Sequence, residues 1–273
     1  MSITIPNFSF KNDIRFIPLY DIHVGANSFD EKAFLNTVDY IKKNKNVYWA
    51  LDGDCLENVT ADCVADPYSQ SILPHDQAEY LISMLKPIKH RATYSIIGNH
   101  VSRTRKRAYY DILVSISREL NLEYLGIGGY VNFQVGKQKY IIATQHGDSG
   151  GSNWELEVKK LRHNYPEAHM YIMGHNHKLC FDYKPYIAQN KFGEETHKYC
   201  IFCRAGNFLG FADYARSKSY EMQIVGNMNI KFSSKYHSIT GYKMQYVNGV
   251  PIFDNFNNVG TRVKRQSIIQ NQL

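Results

Sequence analysis

No stretch of this 273-residue sequence approaches the ~20 consecutive apolar residues that a membrane span needs, so no membrane association is expected. Cysteine is scarce and odd in number. Five residues (Cys55, Cys63, Cys180, Cys200 and Cys203) do not make a disulfide framework, and a reducing compartment fits this usage. Cys200-x-x-Cys203 has no second Cys or His pair at finger spacing and reads as positions along a strand. The first residues, Met1-Ser2-Ile3-Thr4-Ile5-Pro6, lack a charged segment followed by an apolar one, which argues against a secretory leader. A cytoplasmic protein is expected, and a compact chain encoded by a virus or a bacterium would fit. Internal repeats and low-complexity linkers are absent too. One domain is therefore expected over 1–273, with its core at about 14–210, a strand-rich part at 211–261 and a polar, basic tail at 262–273.

Acidic residues are outnumbered, 25 against 32 basic ones, for a formal charge of +7. The imbalance leans toward an anionic partner, of which nucleic acid is the commonest, although enzymes of small phosphorylated substrates share the trait. A content of 44% hydrophobic and 21% charged residues is that of an ordinary globular domain, long enough here to bury a substantial core.

Along the chain, Ile14–Tyr20 reads as a buried strand. Ser28-Phe29-Asp30-Glu31 has the form of a capping box, opening a helix to about Lys43 with Phe34, Val38 and Ile41 on one face. Val47–Leu51 is a second strand, and strand–helix–strand at this spacing makes a βαβ unit with parallel strands. A helix at about His75–Leu85, a strand at Ala92–Ile97 and a helix at about Arg105–Leu120 follow. Val131–Val135 and Tyr140–Thr144 form a hairpin around Gly136-Lys137. Gly150-Gly151 hinges the chain, Ser152-x-x-Glu155 opens a helix to about His163, and Met170–Met173 is a strand. Beyond Lys178 the pattern is strand-rich: Leu179–Tyr183, Lys198–Cys203, Tyr220–Ile224 and Thr240–Tyr246.

Five strand ends run into loops with oxygen or imidazole donors: Asp21-Ile22-His23, Gly53-Asp54, Gly98-Asn99-His100, Gln145-His146-Gly147-Asp148 and Gly174-His175-Asn176-His177. In open parallel sheets ligands bind beyond the carboxyl ends of the strands, so these donors can converge. Such a set suits two divalent cations, Mn first, with Fe, Ni or Zn also compatible. Asp54 is the candidate bridge, with Asp21, His23 and His177 on one cation and Asn99, His146 and His175 on the other. Such a pair acidifies a bridging water to hydroxide, clamps phosphoryl oxygens and neutralises developing charge. His100 is then free to protonate the leaving oxygen.

In this order, Asp-x-His, Gly-Asp-x-x-Glu, Gly-Asn-His, a lone His-Gly and Gly-His-x-His resemble the calcineurin-like metallophosphoesterase superfamily over about residues 14–210. The resemblance implies an α/β fold, a four-layer α/β/β/α sandwich of two mixed sheets flanked by helices. It implies Asp21, His23, Asp54, Asn99, His146, His175 and His177 as metal ligands and His100 as the phosphate-facing acid. Two departures stand out. Val101 follows Gly-Asn-His where the superfamily usually has a carboxylate, so either another carboxylate, Asp111 or Glu57, orients His100 or His100 is a weaker acid. Glu57-Asn58-Val59 replaces the Asp-Arg-Gly of phosphoprotein phosphatases, which argues against a protein substrate.

Arg103, Arg105, Lys106 and Arg107 follow His100 closely, and contact with phosphates flanking the scissile one is their expected use. Tyr109, Tyr110, Tyr214 and Tyr220 could stack on bases. The expected function is hydrolysis of a phosphodiester of nucleic-acid or nucleotide type, with DNA or RNA as partner, closest in character to the nuclease and phosphodiesterase branch. The alternatives are a phosphomonoesterase, a hydrolase of a small cyclic or dinucleotide substrate, and a non-catalytic metal-binding module.

Overall fold

A computed structural model describes residues 4–61, 63, 66–148, 153–190, 192–210, 223–247 and 250–255. Strand β1 (Asn7–Phe10) precedes β2 (Ile14–Tyr20), helix α1 (Glu31–Lys43) and β3 (Val47–Gly53). Helix α2 (Pro74–Leu85) leads to β4 (Ala92–Ile97), and α3 (Ser102–Ala108) and α4 (Ile112–Leu120) lead to the short β5 (Glu123–Tyr124). A hairpin of β6 (Gly128–Val135) and β7 (Gln138–Gln145) comes before α5 (Trp154–Asn164) and β8 (Met170–Met173). The described elements beyond β8 are strands: β9 (Leu179–Gln189), β10 (Glu195–Asn207), β11 (Gly226–Phe232), β12 (Ile239–Val247) and β13 (Val250–Asn255).

The strands make one mixed, curled sheet in the order β1-β6-β7-β8-β10-β11-β2-β3-β4-β5, with β9 on β10 and the β12–β13 pair on β11. Where two separate sheets are expected from the sequence, strand pairing is continuous, but its joint is slender. Strands β10 and β11 share only the pairs Gly206 with Asn227 and Asn207 with Gly226. Because β11 is antiparallel to both β10 and β2, those two point the same way. Parallel pairing carries this direction to β3 and β4 on one side and to β7 and β8 on the other. The carboxyl ends of β2, β3, β4, β7 and β8 therefore open on the same side.

Side chains alternate across the strands and so feed different cores. Ile17 and Leu19 of β2 pack with Phe34, Leu81 and Ile116 of α1, α2 and α4, whereas Phe16 and Tyr20 face a middle core shared by both halves of the sheet. That middle core is aromatic, with Phe133 edge-on to Phe16 and to Phe232 at 5.1 and 5.5 Å between ring centres. A third core lies between α5 (Val158, Leu161) and Tyr171 and Phe202 of β8 and β10. Each such side chain contributes about 1.5–3 kcal/mol by burial. Cys200 belongs to the third core and Cys203 to the middle one, so the two thiols face opposite sides of β10.

Several elements differ from expectation. Asp30, not Ser28, caps α1 by accepting from Ala33 N at 2.9 Å. The expected Arg105–Leu120 helix is two helices, broken at Tyr109 (φ +53°), and Asp111 caps the second by accepting from Leu113 N. No residue of α3 is buried, so no core contact holds it in line with α4. Asn153 caps α5; Ser152 and Gly150-Gly151 lie outside the described residues. Of the expected strand Tyr220–Ile224, residues 220–222 lie outside them too, and 223–225 carry no strand. The next described strand is β11, which begins two residues after Ile224 and whose Gly and Asn are poor strand formers.

Candidate metal centre

The shapes of the five loops are set by demanding backbone positions. Asp21, His23, His175 and His177 all have positive φ, between +45° and +70°, where a side chain is strained. Two glycines make room for the donors. A Cβ at Gly98 would lie 2.1 Å from Asp54 Oδ1, and one at Gly53 (φ +69°) would lie 1.9 Å from His146 Nδ1. No larger residue fits at either place without moving a donor.

The structure brings together all seven residues that the sequence singles out as ligands. Asp21, His23 and His177 form one group whose donor atoms lie within reach of a common point, and Asp54, His146 and His175 form another. In the first, Asp21 Oδ1 is 4.0 Å from Nε2 of both His23 and His177. In the second, His146 Nε2 stands 3.1 Å from Asp54 Oδ2 and 3.0 Å from Asn99 Oδ1, which is itself 3.0 Å from His175 Nδ1. Asp54 also meets His23 and His100 in a third group, so it lies between the others. Ligands about 2.0–2.2 Å from an ion stand roughly 3 Å or somewhat more from one another, and these spacings are of that order. A further group, His75, Asp76 and Glu79, is exposed on α2 and away from these loops.

Buried donor atoms supply the test of fit. Asp21 Oδ1, His23 Nε2 and His146 Nδ1 are buried without a hydrogen-bond partner among the described residues. A buried polar atom left unpaired costs about 1–3 kcal/mol. For Asp21 Oδ1 and His23 Nε2, which face each other, a divalent cation would remove that penalty. Glu57 Oε2 accepts from His23 Nδ1 at 2.8 Å, so the ring presents Nε2 to the centre.

Charges in the centre are strongly coupled. Burial raises Asp21 to about 6, partly offset by His146 and His23. Against burial, His146 and His100 hold Asp54 far below the carboxylate range, and Asp54 with Asp21 lifts His146 to about 9. Burial lowers both His177 and His175, helped by His23 for the first and His146 for the second. Near neutral pH the carboxylates of Asp54 and Asp21 therefore favour the protonated form of His146.

His100 is placed by three contacts. Its backbone N–H donates to Asp54 Oδ1 at 2.7 Å, its Nδ1 donates to the Glu57 carbonyl at 2.9 Å, and its Nε2 lies 3.9 Å from Asp54 Oδ2. Glu57 Oε2 is 3.5 Å from the same Nδ1. Of the two acids expected to orient His100, Glu57 is the neighbour. Asp111 caps α4 and accepts from the Tyr124 hydroxyl instead. Val101 is fully buried in the core beneath α4. Burial and the nearby His23 lower His100 to about 4.

The basic run divides. Arg103 Nη1 donates to the Glu57 carbonyl at 2.8 Å, so it braces the loop that holds His100. Arg105 is more than half exposed, with Asp111 4.0 Å away, and Lys106 is exposed. Tyr109 and Tyr110 are exposed, whereas Tyr214 and Tyr220 lie outside the described residues. Asn207 is buried and donates to the His177 carbonyl at 2.8 Å. Asn58 was not singled out by the sequence. Its Nδ2 donates to the His100 carbonyl at 2.7 Å, while its own N–H donates to the buried Gln77 of α2. Asp52, the other acid of Asp-Gly-Asp, is buried near Tyr20 and Tyr94, and burial raises its carboxyl well above the usual range.

No protein-family profile matches the sequence, and no curated protein does. Among solved structures the chain is similar to Vacuolar Protein Sorting 29 from Cryptosporidium parvum, with a TM-score of 0.48 and 15% identity over 89% of this chain and 97% of that one. It is also similar to wild-type Vps29 complexed with zinc from Entamoeba histolytica (TM-score 0.46, 12% identity, 88% and 97% covered). A third is a conserved uncharacterized protein, described as a predicted phosphoesterase, from Streptococcus pneumoniae (TM-score 0.39, 12% identity, 89% and 98% covered). Among the described residues, no helix is long and apolar enough to cross a membrane.

Proposed function

We propose that this chain is a calcineurin-like metallophosphoesterase that holds two divalent cations and hydrolyses a phosphodiester of nucleic-acid or nucleotide type. The observation that carries the reading is the convergence of Asp21, His23, Asp54, Asn99, His146, His175 and His177 from five strand ends, with Asp54 between the two donor groups. The curled sheet, its middle core and its two helical flanks support the four-layer arrangement that belongs to this reading. Manganese is the proposed metal, since mixed imidazole and carboxylate donors suit it.

When bound, the cations supply Lewis-acid neutralisation of phosphoryl charge and acidify water. The protein's own groups do the rest. His23 is held by Glu57 so that one ring nitrogen faces inward. His100 donates Nδ1–H to the Glu57 carbonyl, so Nε2 is the atom that carries a proton to the leaving oxygen. A group lowered to about 4 is a strong donor once protonated, and the negative charge of a bound phosphodiester raises its proton affinity. Arg105 and Lys106, exposed on the helix that begins two residues after His100, are available to phosphates beyond the scissile one.

The test is a panel with Mn(II) of bis-p-nitrophenyl phosphate, p-nitrophenyl phosphate, and single- and double-stranded oligonucleotides. Hydrolysis of the diester and an oligonucleotide is expected, with the monoester slower. A preference for the monoester would favour the phosphomonoesterase alternative. Tight cation binding without any turnover would make the chain a binding module.

A further inference from the structure

Glu157 and Arg204 form an ion pair out of contact with solvent, behind one side of the centre. Arg204 has no exposed surface and Glu157 is 7% exposed. Strand β10 sets Arg204 in register with Met173, the last residue of β8, and Met173 is also level with Gln145, the last residue of β7. From there Nη2 meets Glu157 Oε2 of α5 at 2.8 Å, and Nη1 donates to the carbonyl of Gly174. A Cβ built at Gly147 would lie 3.9 Å from Nη1. The guanidinium therefore lies beside the residue after His146 and holds the residue before His175.

Stability alone is a poor reason for such a pair. Desolvating two charges offsets most of their attraction, and well-packed neutral replacements of similar volume are often as stable or more so. The contacts are also selective. At the other end of the same loop, the carbonyl of His177 is held by Asn207, not by Arg204. The carbonyls that flank Gly-His-x-His thus have different anchors, although the backbone N–H of His175 also donates to Asp21 Oδ2 at 2.8 Å. Arg204 anchors the side that works with His146, and Asn207 the side that works with Asp21 and His23.

We propose that the buried Glu157–Arg204 pair is a positioning device for the His146–His175 side of the metal centre, setting how tightly a cation is held there more than on the Asp21–His23–His177 side. This rests on the two-cation reading above. The pair meets the loop at the carbonyl of Gly174. It acts by fixing the backbone that carries His175, and outer partners of metal ligands typically govern affinity by about 10–100-fold.

The experiment measures Mn(II) affinity and stoichiometry by equilibrium dialysis and mass spectrometry. Electron paramagnetic resonance reports whether bound Mn(II) ions are spin-coupled or isolated. The main variant is the double substitution E157Q/R204M, which removes both charges together and leaves no buried ion unpaired. R204K, which keeps the charge but loses the planar fork, is the second. In E157Q/R204M the melting temperature in chelator should fall only modestly, because the Gly174 carbonyl loses its donor while no buried charge is left unpaired. The first cation should bind as before, the second should weaken by about 10–100-fold, and the coupled signal should give way to that of isolated Mn(II). R204K should weaken the second cation by a smaller factor. Adding H177A to the double variant should abolish tight binding altogether, whereas adding H175A should change little further. Unchanged affinity for both cations, or equal weakening of both, would overturn the proposal while leaving the two-cation reading intact. A wild-type chain that binds no cation would overturn that reading, and this inference with it.

Discussion

The backbone carbonyl of Glu57 stands 2.9 Å from Nδ1 of His100. A carbonyl can only accept, so Nδ1 carries the hydrogen and Nε2 is the nitrogen turned toward Asp54. His100→Asn should therefore keep both cations and slow hydrolysis of a natural phosphodiester by about 10²–10⁴. The loss should shrink for a p-nitrophenyl ester, whose leaving group needs little protonation. Metal content and turnover on both substrates are the measurements. Equal losses would make His100 a phosphate ligand rather than a proton donor.

Asp54 lies within donor range of imidazoles from four different loops, those of His23, His100, His146 and His175. Asp54→Asn should lower cation affinity by more than the roughly 10–100-fold that loss of an outer partner costs, with turnover falling in parallel. Dialysis against Mn(II) followed by mass spectrometry measures the first and diester hydrolysis the second. Full activity in a variant that had lost one cation would contradict a bridging role.

The two parts of the basic run should separate experimentally. Arg103→Ala removes one of the two donors to the Glu57 carbonyl that holds His100, so it should slow even bis-p-nitrophenyl phosphate, which has no flanking phosphates. Arg105→Ala with Lys106→Ala should spare that ester but flatten the plot of log K against log[salt] for a single-stranded oligonucleotide by up to about 1.4, at about 0.7 per lost contact. Binding across a salt series in metal-free buffer gives the slope. An unchanged slope would favour a small substrate.

Away from the centre, His169 should make the fold acid-sensitive. Its Nδ1 accepts from Ile141 N at 3.0 Å, and burial and His237 lower it to about 4. A histidine lowered on folding is protonated first in the unfolded chain. Its contribution is therefore complete above the ordinary value of 6.5 and is lost as pH falls from there toward 4. Partial exposure of the ring weakens the effect, to about 1–2 kcal/mol. Urea unfolding at pH 7 and pH 4.5 should show this loss in the wild type and less of it in His169→Gln.

The elements most legible in the sequence are those with mainly apolar runs ending at a glycine or aspartate. Strands β2, β4 and β8 have the expected bounds, and the ligand loops leave their ends. The break between α3 and α4 was not legible, because it depends on Tyr109 adopting a left-handed backbone conformation that no residue type there signals. Strand β11 hides behind Asn227 and Asn229, both buried although asparagine is a poor strand former. The choice between Glu57 and Asp111 was open because each is a carboxylate at a plausible distance along the chain. The fold decides it by using Asp111 as a cap. Glu157 and Arg204 are 47 positions apart and match no motif, so only strand register brings them into view.

The left-handed backbone at Asp21, His23, His175 and His177 has a consequence for how the sequence can drift. A non-glycine residue in that region costs on the order of 1–3 kcal/mol, and glycine is free of the penalty. Replacing His177 by glycine in the metal-free chain therefore removes strain and should raise the melting temperature while abolishing the donor. Folding alone does not defend His177. A library of variants selected only for heat resistance should erode the metal centre before it erodes the core, as expected where stability and activity trade off.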